Sequence, residues 1–504
     1  MLAFDVYSGG KPMAEWPKET SSRAFCIYLA DADDRPRERA FDFEYGRLAC
    51  YCDPGVRRRL YIRYRVKDFG DPILRTRLLQ SGRALHNLAV ELGLGRIELL
   101  DEEVARILGG GERVPTAVRE RIESARVLAR AAAELDSAGR RSEASARAGE
   151  SLAISVPAGE ALAVEIAKLR LQARRARGDL AVALLGCTSG AYSAGTKRGD
   201  AFLQAFNYAT MPFYLSGVEP EPGRVEHAGL LQAARALREK GVRLKGHPLV
   251  WTYTPCVPAH RRPMDFPTCS RVFRERILRD VPPFAGLIDY WDIINEAHDT
   301  PWGNSFAFSS GQMVELTAMA ATTTRQAAPG AKLVVNVCLP FGEYAAGAPG
   351  RATTLEYVRA CLDAGVDFDI LGIQFYYGSG LLQYCWDLLE VSRILDEYAA
   401  LGKEIHITEL GTPSAMGPDA NAMIKEGNEV GVWHNGWTEA TQADWVEQFY
   451  AICLSKPAIT ALTWWSFSDA APVFWPHSGL LDGNDNPKES FRRIVQLRRS
   501  FEPS

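Results

Sequence analysis

The chain has 504 residues, 47% of them apolar and 24% charged, the make-up of a soluble globular protein with room for about two to four domains. Its net charge of −4 gives no electrostatic basis for binding nucleic acid or an anionic membrane. No apolar run approaches the roughly 18 residues that span a bilayer.

The N-terminal stretch "MLAFDVYSGGKPMAEW" lacks a basic region followed by an apolar core, so no signal peptide is expected in it and the cellular location is left open. Residues 1–75 read as a β-rich, sandwich-like module that could bind carbohydrate. "AFCIYLA" (24–30) and "RLYIRYRV" (59–66) are its strands. In the second, Leu60, Ile62, Tyr64 and Val66 alternate with Tyr61, Arg63 and Arg65, the pattern of a half-buried strand. The ten cysteines are scattered. Cys50 and Cys52 form a C-x-C with no second pair at zinc-finger spacing, and Cys256 and Cys269 flank one loop and could pair.

Residues 76–178 turn to Ala, Arg, Leu and Glu. "AVRERIESARVLARAAAELDSA" and "AGEALAVEIAKLRLQARRA" carry the helical period, and "GGG" (109–111) separates helical pieces. The expectation is a helical hairpin bracing the parts on either side.

From 179 to 504 the pattern alternates. Strands are expected in "AVALLGCTS", "FNYATM", "VRLKGH", "LIDYWDIIN", "KLVVNV", "FDILGIQF", "EIHITEL" and "ITALTWWSF". Helices fall between them, at 225–240 with Gly241 past its end, 271–280, 310–326, 353–364 with a Thr353/Glu356 capping box, 383–401, 441–454 starting at Thr441, and 488–498. Eight short apolar strands alternating with helices predict an α/β fold, a (β/α)8 TIM barrel preceded by a small β-rich domain and a helical segment. A doubly wound sheet is the alternative, but no G-x-G-x-x-G follows the first strand.

In such a barrel the working residues gather at the C-terminal ends of the strands. Here those ends are polar and aromatic. Strand three runs into His247 and Trp251, strand four into Asn295-Glu296, strand six into Gln374, Phe375 and Tyr376, strand seven into Thr408-Glu409. Strand eight ends in Trp464-Trp465, with Asp469 and Trp475 beyond. Two carboxylates facing each other across a barrel mouth, among aromatic platforms and amides, suit glycoside hydrolysis. A retaining enzyme needs one carboxylic acid to protonate the leaving oxygen and a carboxylate about 5–5.5 Å away to attack the anomeric carbon. No H-x-H or metal-grade cluster argues for a metal or other cofactor.

In order along the chain, "FNYAT", "EPEPGR" (219–224), "KGHPLVW" (245–251), "WDIINEA" (291–297), "ITEL" (407–410) and "GLLDGNDNPKESF" (479–491) resemble glycoside hydrolase family 10, chiefly endo-β-1,4-xylanases, over most of 179–500. The resemblance implies a retaining double-displacement enzyme on a β-linked plant polysaccharide or oligosaccharide, with Glu296 as acid/base and Glu409 as nucleophile. It implies that Asn295 bonds the sugar 2-hydroxyl. His247, Trp251, Gln374 and Trp465 would line the subsite of the attacked sugar, and Trp475 would stand near a second family tryptophan. Two departures stand out. The family's Glu-Asn-Glu-Met-Lys-Trp block is replaced by "YATMPFYLSGV" (208–218), removing residues that grip the distal glycone sugars; Tyr214 and Phe213 could serve there as a stacking surface. Tyr376 stands where the family has a histidine that bonds the nucleophile. These departures leave open the same chemistry on another β-linked glycan or at chain ends, and a non-catalytic sugar-binding barrel. His298, Trp302 and Trp433 are further candidates, His406 reads as structural, and Asp482 and Asp485 read as turn formers. Oligomeric state is not legible.

Overall fold

In a computed structural model, residues 1–14, 26–180, 182–298, 302–348, 350–380, 382–424, 431–470 and 472–501 are described. Eight parallel strands close into a barrel: Leu184–Thr188, Tyr208–Pro212, Arg243–His247, Tyr290–Asn295, Lys332–Val337, Ile370–Tyr376, Glu404–Gly411 and Ile459–Trp464. The first and last pair through Leu184↔Ala461 to Cys187↔Trp464, which leaves no free edge. Each expected strand is there, and the expected barrel is borne out. Strand six, ILGIQFY, is buried at every position, because one face lines the barrel interior and the other meets the surrounding helices.

The helices are set by local chemistry. Ser309 and Thr353 begin theirs with capping boxes to Gln312 and Glu356. Asp265 and Asp387 cap Phe266–Asp280 and Leu388–Ala399. The helix expected from Thr441 starts earlier, Glu439–Ser455, because Thr438 is the residue whose hydroxyl accepts an N–H of the first turn.

The strand-rich part extends past residue 75, through Leu79–Gln80 and Leu85–Asn87, where Leu85–Asn87 pairs with the first strand of the chain, Leu2–Asp5. Of the expected strand at 24–30, Ile27–Ala30 is formed, while Ala24 and Phe25 lie outside the described residues. Between the strands and the barrel stand three helices, not a hairpin of two: Leu88–Gly109, Thr116–Ser137 and Arg141–Ala176. "GGG" does separate two of them, but the first runs through a segment whose apolar positions face two ways. All ten cysteines are free thiols, Cys256 and Cys269 included.

The N-terminal part is pinned to the barrel at the loops that follow strands five to seven. Tyr61, expected on an exposed face, stacks on Tyr28 at 5.0 Å and leans on Trp386 at 6.0 Å. Backbone bonds join Ile73 N–H to the Cys385 carbonyl (2.9 Å) and Gly347 N–H to the Arg37 carbonyl (2.9 Å). Glu160 of the long helix accepts from Leu388 N–H (2.9 Å) and from the Trp433 indole (2.8 Å). Trp433 is therefore part of this joint. Nearby, Arg96 holds Asp387 with two bonds of 2.9 and 3.1 Å, both side chains almost fully buried. Arg96→Ala is expected to lower stability by about 3–5 kcal/mol, because it leaves a buried carboxylate without its counter-charge. A urea midpoint unchanged from wild type would contradict that reading of the joint.

Candidate active site

Glu296 directly follows strand four with φ of +51°, a left-handed conformation that a glutamate adopts only when its surroundings impose it. The constraint is visible: its N–H bonds the Asn336 carbonyl on strand five at 2.8 Å. Glu409 lies one residue past an irregularity in strand seven. There the pairing with strand six steps from Ile373↔Ile407 to Gln374↔Glu409, and Thr408 is the extra residue. Such a bulge re-aims the side chains that follow it.

Three side chains, Gln374, Asn295 and Asn336, connect the two carboxyl groups. Gln374 Nε2 donates to Glu296 Oε1 (2.9 Å) and to Asn295 Oδ1 (3.2 Å). Asn336 Nδ2 donates to the same Asn295 oxygen (2.8 Å) and to Glu409 Oε1 (3.2 Å). Thr408 fixes the orientation of that amide by donating to Asn336 Oδ1 at 2.5 Å. Gly372 makes the packing possible: a Cβ there would sit 2.7 Å from Thr408 Cγ2 and 3.0 Å from Asn336 Oδ1. On the far oxygen of Glu409, the Tyr376 hydroxyl donates at 2.6 Å.

His247 approaches Glu409 Oε1 at 3.6 Å through Nε2, while its Nδ1 meets Asp292 Oδ2 at 2.6 Å. Asp292 also receives Lys245 Nζ at 2.9 Å. Burial pushes the Asp292 carboxyl up, but Lys245 and His247 outweigh it and hold the group below its usual range. An ionised Asp292 thus fixes the ring orientation of His247.

The electrostatics of Glu296 run the other way. Burial is the largest influence and the charge of Glu409 the next. Both raise its pKa, hydrogen bonds from Gln374, Asn295 and Trp302 oppose them, and the balance stands at about 8. Its second oxygen, Oε2, has no hydrogen-bond partner of good geometry among the described residues. The arrangement holds one carboxyl protonated at neutral pH beside another that receives donors on both oxygens, which is the division of labour that acid–nucleophile pairs require.

Aromatic rings complete the walls. Trp465 stands edge-on to His247 at 5.4 Å, and Trp475 edge-on to Tyr376 at 5.3 Å. Trp251 leans on Tyr214 at 5.9 Å. All nine candidate residues therefore surround one network: Glu296, Glu409, His247, Trp251, Asn295, Gln374, Tyr376, Trp465 and Trp475. Trp302 reaches it from the loop after strand four. His298 does not join. It is buried, burial lowers its pKa to about 3, and its Nε2 accepts the Cys338 N–H at 3.2 Å, so it is a neutral prop for the strand-five loop. Phe213 is fully buried and offers no stacking face. His406 packs between Tyr208 and Tyr290 inside the barrel, and Asp482 accepts the N–H groups of Asn484 and Asn486. Among the described residues no three His, Cys, Asp or Glu side chains converge as a metal site requires.

Sequence reasoning passed over Asn336 and Asp292. Each is a polar residue set between buried apolar neighbours, Val335 and Val337 in "KLVVNV" and Trp291 and Ile293 in "YWDIIN", and that interruption is the signal that could have flagged them.

A sequence profile described as Glycosyl hydrolase family 10 matches residues 204–497. The Endo-1,4-beta-xylanase B of Neocallimastix patriciarum is 26% identical over 217 residues, 41% of this chain and 24% of that protein. The Endo-1,4-beta-xylanase/feruloyl esterase of Xylanibacter ruminicola is 25% identical over 309 residues, 56% of this chain and 40% of that protein. The aligned regions thus span less than half the length of these two curated relatives. Among solved structures, native xylanase 10B from Thermotoga maritima superposes with a TM-score of 0.50 at 20% identity, covering 65% of this chain and 99% of that one, a likeness of fold.

Proposed function

Because the chain belongs to glycosyl hydrolase family 10, we propose that it is a retaining β-glycoside hydrolase acting on β-1,4-linked xylan or xylo-oligosaccharides. The observation that carries this reading is the pair of carboxyl groups at the ends of strands four and seven. They share one hydrogen-bond network, with Glu296 raised to about 8 and Glu409 held by Tyr376 and Asn336.

In the first step a Glu409 oxygen bonds to the anomeric carbon as the glycosidic C–O bond breaks, and Glu296 gives its proton to the departing oxygen. In the second step Glu296, now a carboxylate, takes a proton from water. The water oxygen bonds to the anomeric carbon from the side the aglycone left, and the bond to Glu409 breaks with its electron pair returning to the carboxylate. Two inversions leave the configuration unchanged. In this reading His247, Asn295 and Gln374 bond sugar hydroxyls, and Trp465 and Trp475 face the ring.

The test is hydrolysis of xylan and of aryl β-xylosides across pH, with the anomer of the first product followed by NMR. The β-anomer is expected first, and kcat/KM should fall as pH rises through about 8, because the first step needs Glu296 protonated. A fall already complete by pH 6, or an α-anomeric first product, would overturn the reading. The same shift acts on stability. A carboxyl whose native pKa exceeds its unfolded value binds more protons when folded, so its contribution is full below about 4.5 and is lost as pH rises toward 8.

A further inference from the structure

Tyr214 belongs to the site, but the hydrolytic reading leaves it without a task. It follows strand two, and the chain before it is held firmly. The Phe213 ring is edge-on to Phe284 and to Trp291, each at 4.8 Å, its N–H bonds the His247 carbonyl at 2.6 Å, and its own carbonyl receives the Arg276 guanidinium. With Phe213 turned into the core, the next side chain is turned toward the barrel mouth. The Tyr214 ring lies 5.8 Å from His247, nearly perpendicular to it, and 5.9 Å from Trp251. Trp251 packs in turn on Tyr253 at 4.9 Å, so the three rings make one aromatic wall. Burial first, and then the charge of Glu409, push the Tyr214 hydroxyl well above its usual pKa and keep it neutral.

A sugar seated over Glu409 and His247 meets this wall on the side of strands two and three. The ring cannot swing away cheaply, because the backbone that carries it is tied to the core through Phe213. We propose that Tyr214 is a specificity-determining residue that closes the cleft beside His247, so that a bound β-1,4-xylo-chain ends there and is cut near a chain end rather than within. This rests on the hydrolytic reading above.

The experiment compares wild type, Tyr214→Ala, Tyr214→Phe and Tyr214→Trp on reducing-end-labelled xylohexaose, with an aryl β-xyloside in parallel. Wild type should release one- and two-sugar products first. Tyr214→Phe and Tyr214→Trp keep the wall and should keep that pattern. Tyr214→Ala opens it and should raise the share of internal cuts about tenfold, the scale of one lost aromatic contact. Wild type that produces mainly three-sugar products from the start would overturn the proposal, whatever the variants do. So would an unchanged pattern in Tyr214→Ala that still hydrolyses the aryl xyloside. Failure of wild type to hydrolyse either substrate would overturn the hydrolytic reading itself, and the proposal with it.

Discussion

Glu409→Gln should leave the fold intact and lower kcat on aryl β-xylosides by about 10⁴- to 10⁶-fold, or roughly 5–8 kcal/mol of barrier. The substitution keeps shape and removes the charge. Glu409 is almost fully buried, so an amide of the same volume fills its place and leaves no cavity. The Tyr376 hydroxyl and the Asn336 amide both donate to this side chain, and a glutamine can satisfy only one of them through its single oxygen. That costs little stability beside the loss of the group that bonds to the anomeric carbon. Urea unfolding and steady-state kinetics separate the two effects. A variant that keeps a few per cent of wild-type kcat would remove Glu409 from the nucleophile's role.

Glu296→Ala should discriminate between leaving groups. Hydrolysis of xylan and of glycosides with poor leaving groups is expected to fall about 10²- to 10⁴-fold, the usual share of general acid catalysis. A dinitrophenyl β-xyloside departs without help, so its first step should be nearly unaffected and the glycosyl-enzyme should accumulate, seen as a burst and a low KM. Added azide needs no base and should restore turnover, giving the β-xylosyl azide. The limb of the pH profile near 8 belongs to this carboxyl and should vanish in Glu296→Gln. An equal loss on activated and unactivated substrates would sink the assignment, because an acid matters in proportion to how badly the leaving group needs a proton.

The barrel was legible because its strands are apolar runs that stop on residues an apolar run does not choose. "WDIIN" runs into Glu296 and "EIHIT" into Glu409, and the rule that barrel function sits at strand ends turns those stops into a list of candidates. What escaped reading depends on partners remote in sequence. Asn336 bridges Asn295 and Glu409 from 41 and 73 residues away, so nothing beside it in "KLVVNV" announces the bond. Arg96 and Asp387 are 291 residues apart, and each looks like an ordinary surface charge until the helical segment is laid against the loop after strand six. The burial of Tyr61 in the strand Arg57–Arg63 has the same origin, because Trp386 packs against it. The positive φ of Glu296 is likewise imposed by a neighbouring strand, and a glutamate in the sequence carries no sign of it. Tyr376 was legible as a departure from the family. Its bond to Glu409 needed the register of strands six and seven, which sets Tyr376 opposite Gly411, two residues past that carboxylate.

The most direct measurement is the trapping of the covalent intermediate. The protein is incubated with a dinitrophenyl 2-deoxy-2-fluoro-β-xyloside, whose fluorine slows both steps and whose leaving group favours the first, and the labelled chain is digested and mapped by mass spectrometry. The account predicts one fluoroxylosyl group per chain, carried by the peptide that contains Glu409 and absent from Glu409→Gln. A label on any other residue, or no label from a protein that hydrolyses the parent xyloside, would contradict it.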